Sequence, residues 1–319
     1  MTCRICGSSD TRTLPIGQYA DFFRLRMDTS KDEFLLFSRK PSIRPIATAS
    51  LPVRAVRKLG RMIRSPKKRP VRQFRTCMQV CATCHGVTPC HEYSFEDLLG
   101  LYRDYRSETY NHDRISVEPG YAQIAKDVGS HPLEIKNRNS AVDGFLNRNA
   151  RAFNGGVMLD YGGSDGRLIP SFVHETFEEI HIYDPSKVSL HPSVDARKIK
   201  TVATPQPGIY SFLTCMHVLE HVGSPRAVAN DAARLMAPGG LMYVEVPLEL
   251  TEDVRDNLTQ RIIDTPIIIH EHMNAFDRVS IRELLKSIRM EMVDDAADVI
   301  DLGWIRGLVG RFLARKAKS

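Results

Sequence analysis

Two pairs of cysteines are the residues whose type and spacing point most directly to chemistry. Cys3 and Cys6 form one CxxC pair, Cys81 and Cys84 form another, and a glycine follows each pair closely. Two thiolates three positions apart on a tight turn can face one ion, and four such ligands make a closed tetrahedral zinc site. The pattern therefore predicts a structural zinc site, which stabilises a fold and does not catalyse.

Other residues near the second cysteine pair are also possible zinc ligands. Cys77 or Cys90 could replace one of its members, and His85 and His91 are further candidates. The seven cysteines cluster in this way apart from Cys215, which favours metal-bound thiolates over a disulfide framework. Cysteines that are simply buried or free are the alternative. The long separation of the two pairs indicates an insertion between them.

The inserted segment is strongly basic. It has no acidic residue from position 34 to 91, whereas thirteen lysines and arginines lie between positions 39 and 75. The whole chain of 319 residues has a net charge of +6, so the remainder is net acidic. Apolar residues recur near helical spacing among these charges, at Leu51, Val53, Val56, Leu59 and Ile63. We expect either a basic amphipathic segment, suited to an anionic membrane surface or a polyanion, or a solvated linker.

The C-terminal residues repeat this composition. Basic and apolar side chains mix over residues 304–316, and we expect a basic amphipathic tail at 301–319. Peripheral contact with an anionic membrane is therefore one prediction, whereas nucleic-acid binding is disfavoured because the basic stretch has few aromatic residues to stack on bases. No apolar run reaches the length of a membrane span, and the N-terminus lacks the apolar core of a signal peptide, so a cytoplasmic protein is expected.

A third stretch whose residues could bind a ligand is VMLDYGGSDGRL, residues 157–168. A short apolar run ends in Asp160, and a turn with Gly162, Gly163 and Gly166 follows. In an open parallel sheet the first strand ends at the ligand-binding edge, where glycines let the backbone approach a nucleotide or nucleoside without a Cβ in the way. A surface loop between a strand and a helix is the alternative for this turn taken alone.

Strands and helices alternate after the glycine turn. Residues 180–183 form a predicted strand that ends at Asp184, where a carboxylate can accept hydrogen bonds from both ribose hydroxyls of a nucleoside. Further strands are predicted at 211–216 and 241–247, on either side of a helix that begins at 224–225. This alternation predicts a doubly wound α/β fold.

The observations divide the chain into four parts. We expect a zinc-binding unit at 1–94 with its basic insertion at about 34–75, a helical linker or substrate cap at 95–150, an α/β core at 151–300, and the tail. Three tyrosines of the cap could line a pocket above the sheet or be half-buried packing residues, namely Tyr102, Tyr105 and Tyr110.

Four motifs of the predicted core resemble those of a known family. LDYGGSDGR, IYDPS, MHVLEHV and APGG before LMYVEVP look, in this order, like the class I S-adenosylmethionine-dependent methyltransferases. The glycine turn does not satisfy the GxGxxG fingerprint of a dinucleotide-binding domain. The resemblance implies a Rossmann-like methyltransferase sheet that binds S-adenosylmethionine.

The resemblance assigns the glycine turn to the cofactor. It implies that Asp160, Gly162 and Gly166 frame the methionine part, with Gly163 and Ser164 in the same turn. Ser164 departs from the family pattern, in which a glycine is common at this position.

Residues beyond the turn complete the implied cofactor site. Asp184 would hold the ribose, Asp195 would lie near the adenine, and Met216 and His217 would lie beside the transferring methyl group. His217, Glu220 and His221 are only secondary candidates for catalysis, because in the family this motif mostly shapes the turn.

A narrower resemblance covers nearly the whole chain. The CxxC pairs, the α/β core and the motif IHEHMNAF at 269–276 are similar to sugar C-methyltransferases that act on nucleotide-linked deoxysugars. The resemblance implies that Glu271 lies by the substrate and that His272 is the base, since an imidazole titrates near neutrality. A buried or N-capping histidine is the alternative for His272. The basic insertion is foreign to that group, which leaves carbon or oxygen methylation open.

The sequence thus predicts a methyltransferase with a structural zinc, which transfers the methyl group of S-adenosylmethionine to a sugar or a sugar-bearing acceptor, nucleotide-linked or lipid-linked. An RNA or protein methyltransferase is one alternative, and a non-catalytic zinc-bearing interaction protein is another. The acceptor and the oligomeric state stay open.

Overall fold

The structure of the protein is a computed structural model, which describes residues 2–18, 21–26, 35–38, 72–91, 93–186, 189–195, 197–252, 254–255, 267–268 and 271–318. The apolar positions of the predicted basic amphipathic segment, Leu51 to Ile63, lie outside the described residues. Within the described ranges, no helix combines the length and the apolar character that a membrane span requires.

The described strands form two sheets. In chain order they are β1 (Thr11–Gln18), β2 (Leu35–Ser38), β3 (Arg72–Cys81), β4 (Val87–Pro89), β5 (Val157–Tyr161), β6 (Glu179–Tyr183), β7 (Ile199–Thr201), β8 (Tyr210–Met216), β9 (Met236–Pro247), β10 (Ile267–Ile268), β11 (Met290–Asp301) and β12 (Arg306–Lys316).

The larger sheet has the strand order β11-β12-β9-β8-β5-β6-β7. Strands β5 to β9 run parallel, whereas β12 is antiparallel to both β9 and β11. The chain winds outwards in both directions from β5, because β6 and β8 lie on either side of it. In open α/β sheets, ligands bind outside the carboxyl ends of the strands at this switch point. The predicted doubly wound α/β fold is confirmed, with a mixed rather than a wholly parallel sheet.

Seven α-helices accompany the strands in the described part of the chain. They are α1 (Asp21–Arg26), α2 (Phe95–Leu101), α3 (Glu108–Val117), α4 (Pro132–Arg148), α5 (Ser171–Thr176), α6 (Pro225–Leu235) and α7 (Arg278–Ser287). Helix α6 has a proline in its first turn, as predicted, and buries three alanines against the sheet. Helix α7 begins with a capping box between Asp277 and Ser280.

The structure corrects the predicted basic amphipathic tail at 301–319. Arg306–Lys316 forms strand β12, which is paired on both sides inside the central sheet. Its apolar residues Phe312 and Leu313 are fully buried. The mixture of basic and apolar residues therefore reflects a strand that pairs with β9 and β11 and whose apolar side chains enter the core.

A buried ion pair joins β12 to β9. Arg311 is 1% exposed and its Nε lies 3.2 Å from Oε2 of Glu245, which is 0% exposed. The hydroxyl of Tyr243 donates to the same carboxylate oxygen at 2.8 Å. A charge at this depth is tolerated only when it is paired and hydrogen-bonded.

The smaller sheet contains the cysteine turns and packs on the core. Its strand order is β10-β1-β3-β2, and β4 adds to β3. The amide of Arg226 in α6 donates to the carbonyl of Arg4 at 2.9 Å, and Oγ of Ser280 in α7 donates to the carbonyl of Cys84 at 2.9 Å. The cysteine turns are thus attached to the two helices that cover one face of the central sheet.

We predict that Arg311→Met lowers the free energy of unfolding by about 3 to 5 kcal/mol, because it removes the buried arginine that pairs with Oε2 of the Glu245 carboxylate. Urea denaturation followed by circular dichroism measures this loss. The control is Arg234→Ala, which removes an exposed pair with Asp231 at 3.0 Å and should cost less than about 1 kcal/mol. An Arg311→Met protein as stable as the control would contradict the role of the buried pair.

Candidate active site

The glycine turn and Asp184 lie side by side at the carboxyl edge of the central sheet. Strands β5 and β6 are parallel neighbours, with Tyr161 opposite Tyr183. The amide of Gly162 donates to the carbonyl of Tyr183 at 2.7 Å, and the amide of Ser164 donates to Oδ2 of Asp184 at 2.9 Å. The structure therefore brings together the two features on which the predicted nucleoside site depends.

The turn requires glycine for two different reasons. Gly162 and Gly166 have φ angles of +77° and +79°, which side chains disfavour. A Cβ on Gly163 would lie 2.4 Å from Oδ2 of Asp160, so the backbone passes directly over this carboxylate. Ser164 also has a positive φ, +48°, which explains why a glycine suits this position in the family.

Asp160 supports the turn from below. Its side chain is 2% exposed, and the hydroxyl of Thr214 donates to its Oδ1 at 2.7 Å. Burial raises the pKa of Asp160 to about 6, and the charge of Asp184 contributes in the same direction. Asp160 therefore lies between the strands and the turn, where it fixes the backbone that would face the cofactor.

Asp184 is more accessible than Asp160. Its Oδ1 accepts a hydrogen bond from the amide of Ser186 at 2.8 Å and another from the Ser186 hydroxyl. A carboxylate has about four acceptor positions; Ser164 and Ser186 use three of them, so Oδ2 can still accept a ribose hydroxyl. Asp195 is exposed and binds Arg197 with both oxygens, at 2.9 Å and 2.8 Å. Its predicted place near an adenine stays a prediction.

Met216 and His217 end strand β8 at the same edge. His217 has a φ of +53°, and its ring lies between two fully buried carboxylates. Nδ1 is 3.0 Å from Oε1 of Glu220, and Nε2 is 3.1 Å from Oε1 of Glu245. Burial and Arg138 lower the pKa of His217, but the two carboxylates outweigh them and raise it above its usual value. The ring of His217 is therefore fixed between two carboxylates that favour its protonated form.

Glu271 holds the helical cap on the core. Its side chain is buried, and its Oε1 accepts from the hydroxyl of Tyr110 at 2.9 Å and pairs with Nη1 of Arg114. The hydroxyl of Tyr105 donates to Oε2 at 3.2 Å. A carboxylate with partners at both oxygens positions the three side chains from α3 and the segment before it. Its predicted contact with the substrate stays a prediction.

Two histidines, His221 and His272, lie beside Glu271 and its partners. The Tyr102 hydroxyl lies 2.6 Å from the carbonyl of Glu271 and 2.9 Å from Nδ1 of His221. The rings of His221 and His272 are 5.0 Å apart, and Nδ1 of His272 lies 2.8 Å from Oε1 of Glu249. Burial lowers the pKa of His272, but Glu249 outweighs it and raises it to about 9. The ring of His272 thus lies at the carboxyl edge, because Glu249 lies two residues after the end of β9.

Sequence reasoning missed three charged residues of this region. Arg114 and Glu249 act on Glu271 and His272 from distant parts of the chain, and no local pattern indicates that. Glu245 had a signal, because it stands inside the apolar run LMYVEVP of a strand predicted to be buried. A charged residue in such a strand implies a buried partner.

The four predicted cysteine ligands converge. One sulfur atom from each of Cys3, Cys6, Cys81 and Cys84 lies within 4.8 Å of the others. The Sγ atoms of Cys3 and Cys84 are 3.7 Å apart, as are those of Cys6 and Cys81. Zinc–sulfur bonds of about 2.3 Å in a tetrahedron place sulfur atoms about 3.8 Å apart. In the described part of the chain no other cysteine joins this group.

The fold and the edge define a class of protein: a doubly wound α/β sheet with a nucleoside-type turn and an antiparallel last strand. Residues 135–293 match the family model described as a methyltransferase domain. The central sheet is therefore the S-adenosylmethionine-dependent methyltransferase domain of this chain.

Relatives and solved structures can be placed beside this match. A ubiquinone biosynthesis O-methyltransferase of Pectobacterium carotovorum is 27% identical over 111 residues, which are 31% of this chain and 46% of that protein. One of Aliivibrio fischeri is 29% identical over 199 residues, 55% of this chain and 82% of that protein. The Burkholderia thailandensis 1,6-didemethyltoxoflavin-N1-methyltransferase, solved with S-adenosylhomocysteine, has a TM-score of 0.46 and 13% identity over 74% of this chain and 97% of its own. The chain spans about half the length of the Pectobacterium relative.

We predict that Asp184→Asn weakens S-adenosylmethionine binding at least about tenfold, because a hydrogen bond to a charged group contributes about 1.5 to 3 kcal/mol. Isothermal titration calorimetry gives the dissociation constant. Asn keeps the size of the side chain, so the turn should stay intact. The matched control is Glu291→Gln, at an exposed position of β11. Equal affinities of the two variants would exclude Asp184 as the ribose ligand.

Proposed function

We propose that the protein transfers the methyl group of S-adenosylmethionine to a small acceptor, a sugar or a sugar-bearing molecule that is nucleotide-linked or lipid-linked. The proposal rests on one observation: polar side chains at the ends of β8 and β9, the second polar wall, lie at the same edge of the sheet as Asp184. Parallel strands deliver His217 and Glu249 to the edge that also holds Asp184. A cofactor and an acceptor can then meet across one edge.

The character of the second wall suits a polyhydroxylated acceptor. Tyr102 and Tyr105 combine apolar rings with hydroxyl groups and lie beside Glu271, whereas Tyr110 is fully buried as a packing residue. Aromatic rings with polar tips pack on the carbon skeleton of a ligand while they hydrogen-bond to its hydroxyls. This combination favours a sugar over a purely apolar acceptor.

His272 is the proposed proton acceptor. Because its pKa is raised to about 9, only the neutral fraction, which grows as the pH rises, can act as the base. The cofactor supplies its own electrophile, so the protein has to position the acceptor and remove its proton. As the new bond to the methyl carbon forms and the carbon–sulfur bond breaks, the proton of the acceptor passes to the imidazole and S-adenosylhomocysteine leaves. Glu249 orients this imidazole through Nδ1.

We predict that His272→Ala lowers kcat by about 10²- to 10⁴-fold and leaves the affinity for S-adenosylmethionine nearly unchanged, since His272 acts on the acceptor. Release of S-adenosylhomocysteine measures turnover, and calorimetry measures affinity. His112→Ala is the matched control, because that imidazole is 85% exposed. Turnover of His272→Ala at the rate of this control would remove His272 from the mechanism.

A second candidate is O-methylation of an acceptor without a sugar. The relatives from Pectobacterium and Aliivibrio are ubiquinone biosynthesis O-methyltransferases, which favours an oxygen nucleophile on such a molecule. Comparing the glycans, sugar nucleotides and ubiquinone precursors of the host with and without this protein distinguishes the two candidates by mass spectrometry. A methyl group missing only from a sugar supports the first candidate, and one missing only from a ubiquinone precursor replaces it with the second.

We also propose that Cys3, Cys6, Cys81 and Cys84 bind one structural zinc ion. Support comes from four sulfur donors at tetrahedral spacing, three of them buried. The turns suit this role, because Gly7 has a φ of +83° and a Cβ on Gly86 would lie 2.3 Å from Ile5. Such a site is closed and would join the two cysteine turns into one unit.

We predict about one equivalent of zinc per chain by elemental analysis. Cys81→Ser should lose this metal and lower the thermal unfolding temperature, because the binding free energy of a structural zinc is folding free energy. Cys90→Ser is the control, since Sγ of Cys90 lies 3.9 Å from the Thr13 hydroxyl and outside the group. A well-folded wild-type protein that contains no zinc would rule the site out.

The proposed contact with an anionic membrane surface depends on the basic insertion alone, because the C-terminal residues form β12. The insertion would bring a phosphorylated or lipid-linked acceptor to the protein by charge attraction. The cytoplasmic location stays part of the same proposal.

A further inference from the structure

Apart from the four cysteines, three potential metal ligands converge at the second polar wall, where the acceptor is proposed to bind. Glu220 and His221 lie in the turn Leu219–His221 that follows β8, and His272 follows β10 in sequence. One ligand atom from each residue lies within 4.8 Å of the other two. Two imidazoles and one carboxylate are a donor set that binds divalent transition metals and leaves coordination positions open.

Glu220 has an ion-pair partner in His217 but lacks a hydrogen-bond partner among the residues that the structure describes. The side chain is 0% exposed, and neither carboxylate oxygen has a hydrogen-bond partner among the residues that the structure describes. Nδ1 of His217 lies 3.0 Å from Oε1 as an ion pair, without the alignment of a hydrogen bond. Buried carboxylates are ordinarily hydrogen-bonded or bound to a metal. A metal cation in the cluster would bind the carboxylate of Glu220, whose oxygens lack a hydrogen-bond partner.

The other contacts of the two histidines resemble those around metal ligands. Nδ1 of His221 lies 3.0 Å from the carbonyl of Glu271, and its Nε2 lies 3.9 Å from Oε1 of Glu220. Nδ1 of His272 lies 2.8 Å from the carboxylate of Glu249. A histidine that binds a metal through one nitrogen commonly has the other held by a backbone carbonyl or a carboxylate, which fixes the ring. Both kinds of outer partner are present here.

We propose that Glu220, His221 and His272 bind one divalent transition-metal cation, such as Mn²⁺, Fe²⁺, Co²⁺ or Zn²⁺. The two charges of the cation suit the surroundings, because the carboxylate of Glu249 adds negative charge next to His272. The positions that the protein leaves open would take water or oxygen atoms of the acceptor. An acceptor with two neighbouring oxygens fits such a site best.

This inference rests on the proposed function for its acceptor and refines the role of His272. With the cation bound, His272 would be a ligand, and the cation would lower the pKa of a bound acceptor hydroxyl so that its proton passes to water before the methyl group is transferred. Both roles predict that His272→Ala loses turnover. Metal binding, measured without cofactor or acceptor, separates them.

The experiment adds Mn²⁺ to the whole protein with its cysteine site loaded and follows free Mn²⁺ by electron paramagnetic resonance. Elemental analysis of the same samples counts zinc and any metal already bound. We expect a second metal equivalent per chain besides that of the cysteine site, either acquired from solution or present on purification. Glu220→Gln and His221→Ala should each weaken this binding at least about tenfold, as should Glu249→Gln, which removes an outer partner.

Two controls keep the result interpretable. Glu291→Gln should bind Mn²⁺ like the wild type, and circular dichroism should confirm that every variant is folded. His221→Ala gives a second test if Glu220→Gln fails to fold. A wild-type protein without a second metal equivalent would overturn the inference, and so would binding that survives both variants. Methyl transfer by such a metal-free protein would leave the proposed function standing, with His272 as its base.

Discussion

The carboxylate of Glu245 lies inside the central sheet, where no solvent reaches it and side chains from four different elements approach it. Arg311 of β12 and Tyr243 of β9 hold Oε2, whereas His217 at the end of β8 and Arg138 of α4 face Oε1. Burial raises the pKa of Glu245, but His217 and the arginines outweigh it and lower the value to about 2. The cost of an unpaired charge at this depth requires all of these elements to be in place together.

This constraint connects the fold to the site. His217 follows the last residue of β8, and its ring is held between Glu245 and Glu220. Its left-handed backbone sends the chain into the turn that carries Glu220 and His221. The same turn contacts the glycine turn, because a Cβ on Gly162 would lie 2.4 Å from Val218. The buried contacts of Glu245 therefore determine how far the glycine turn lies from the second polar wall.

The helical cap is held by a second buried carboxylate. Glu271 comes from the segment after β10, and it binds Tyr105, Tyr110 and Arg114. The wall of the site is thus made of residues from three separate parts of the chain, which this carboxylate helps to hold together. The small sheet with the cysteine turns supports the arrangement from outside, since β1 pairs with β10 and Val87 bridges to Ala275.

The sequence alone determined the features that depend on local order. Hydrophobic periodicity and turn residues predicted strands β5, β6 and β8 with their order of alternation, and the glycine turn and Asp184 follow directly from the ends of two such strands. The CxxC spacing likewise predicted which four sulfur atoms would meet. Only the tertiary structure decided that residues 306–316 enter the sheet, because basic and apolar residues mixed in one segment suit an interfacial helix and a buried strand equally well. It also decided that Glu245 pairs with Arg311, and that His221 and His272 lie together, since such contacts between distant segments leave no local pattern in the chain.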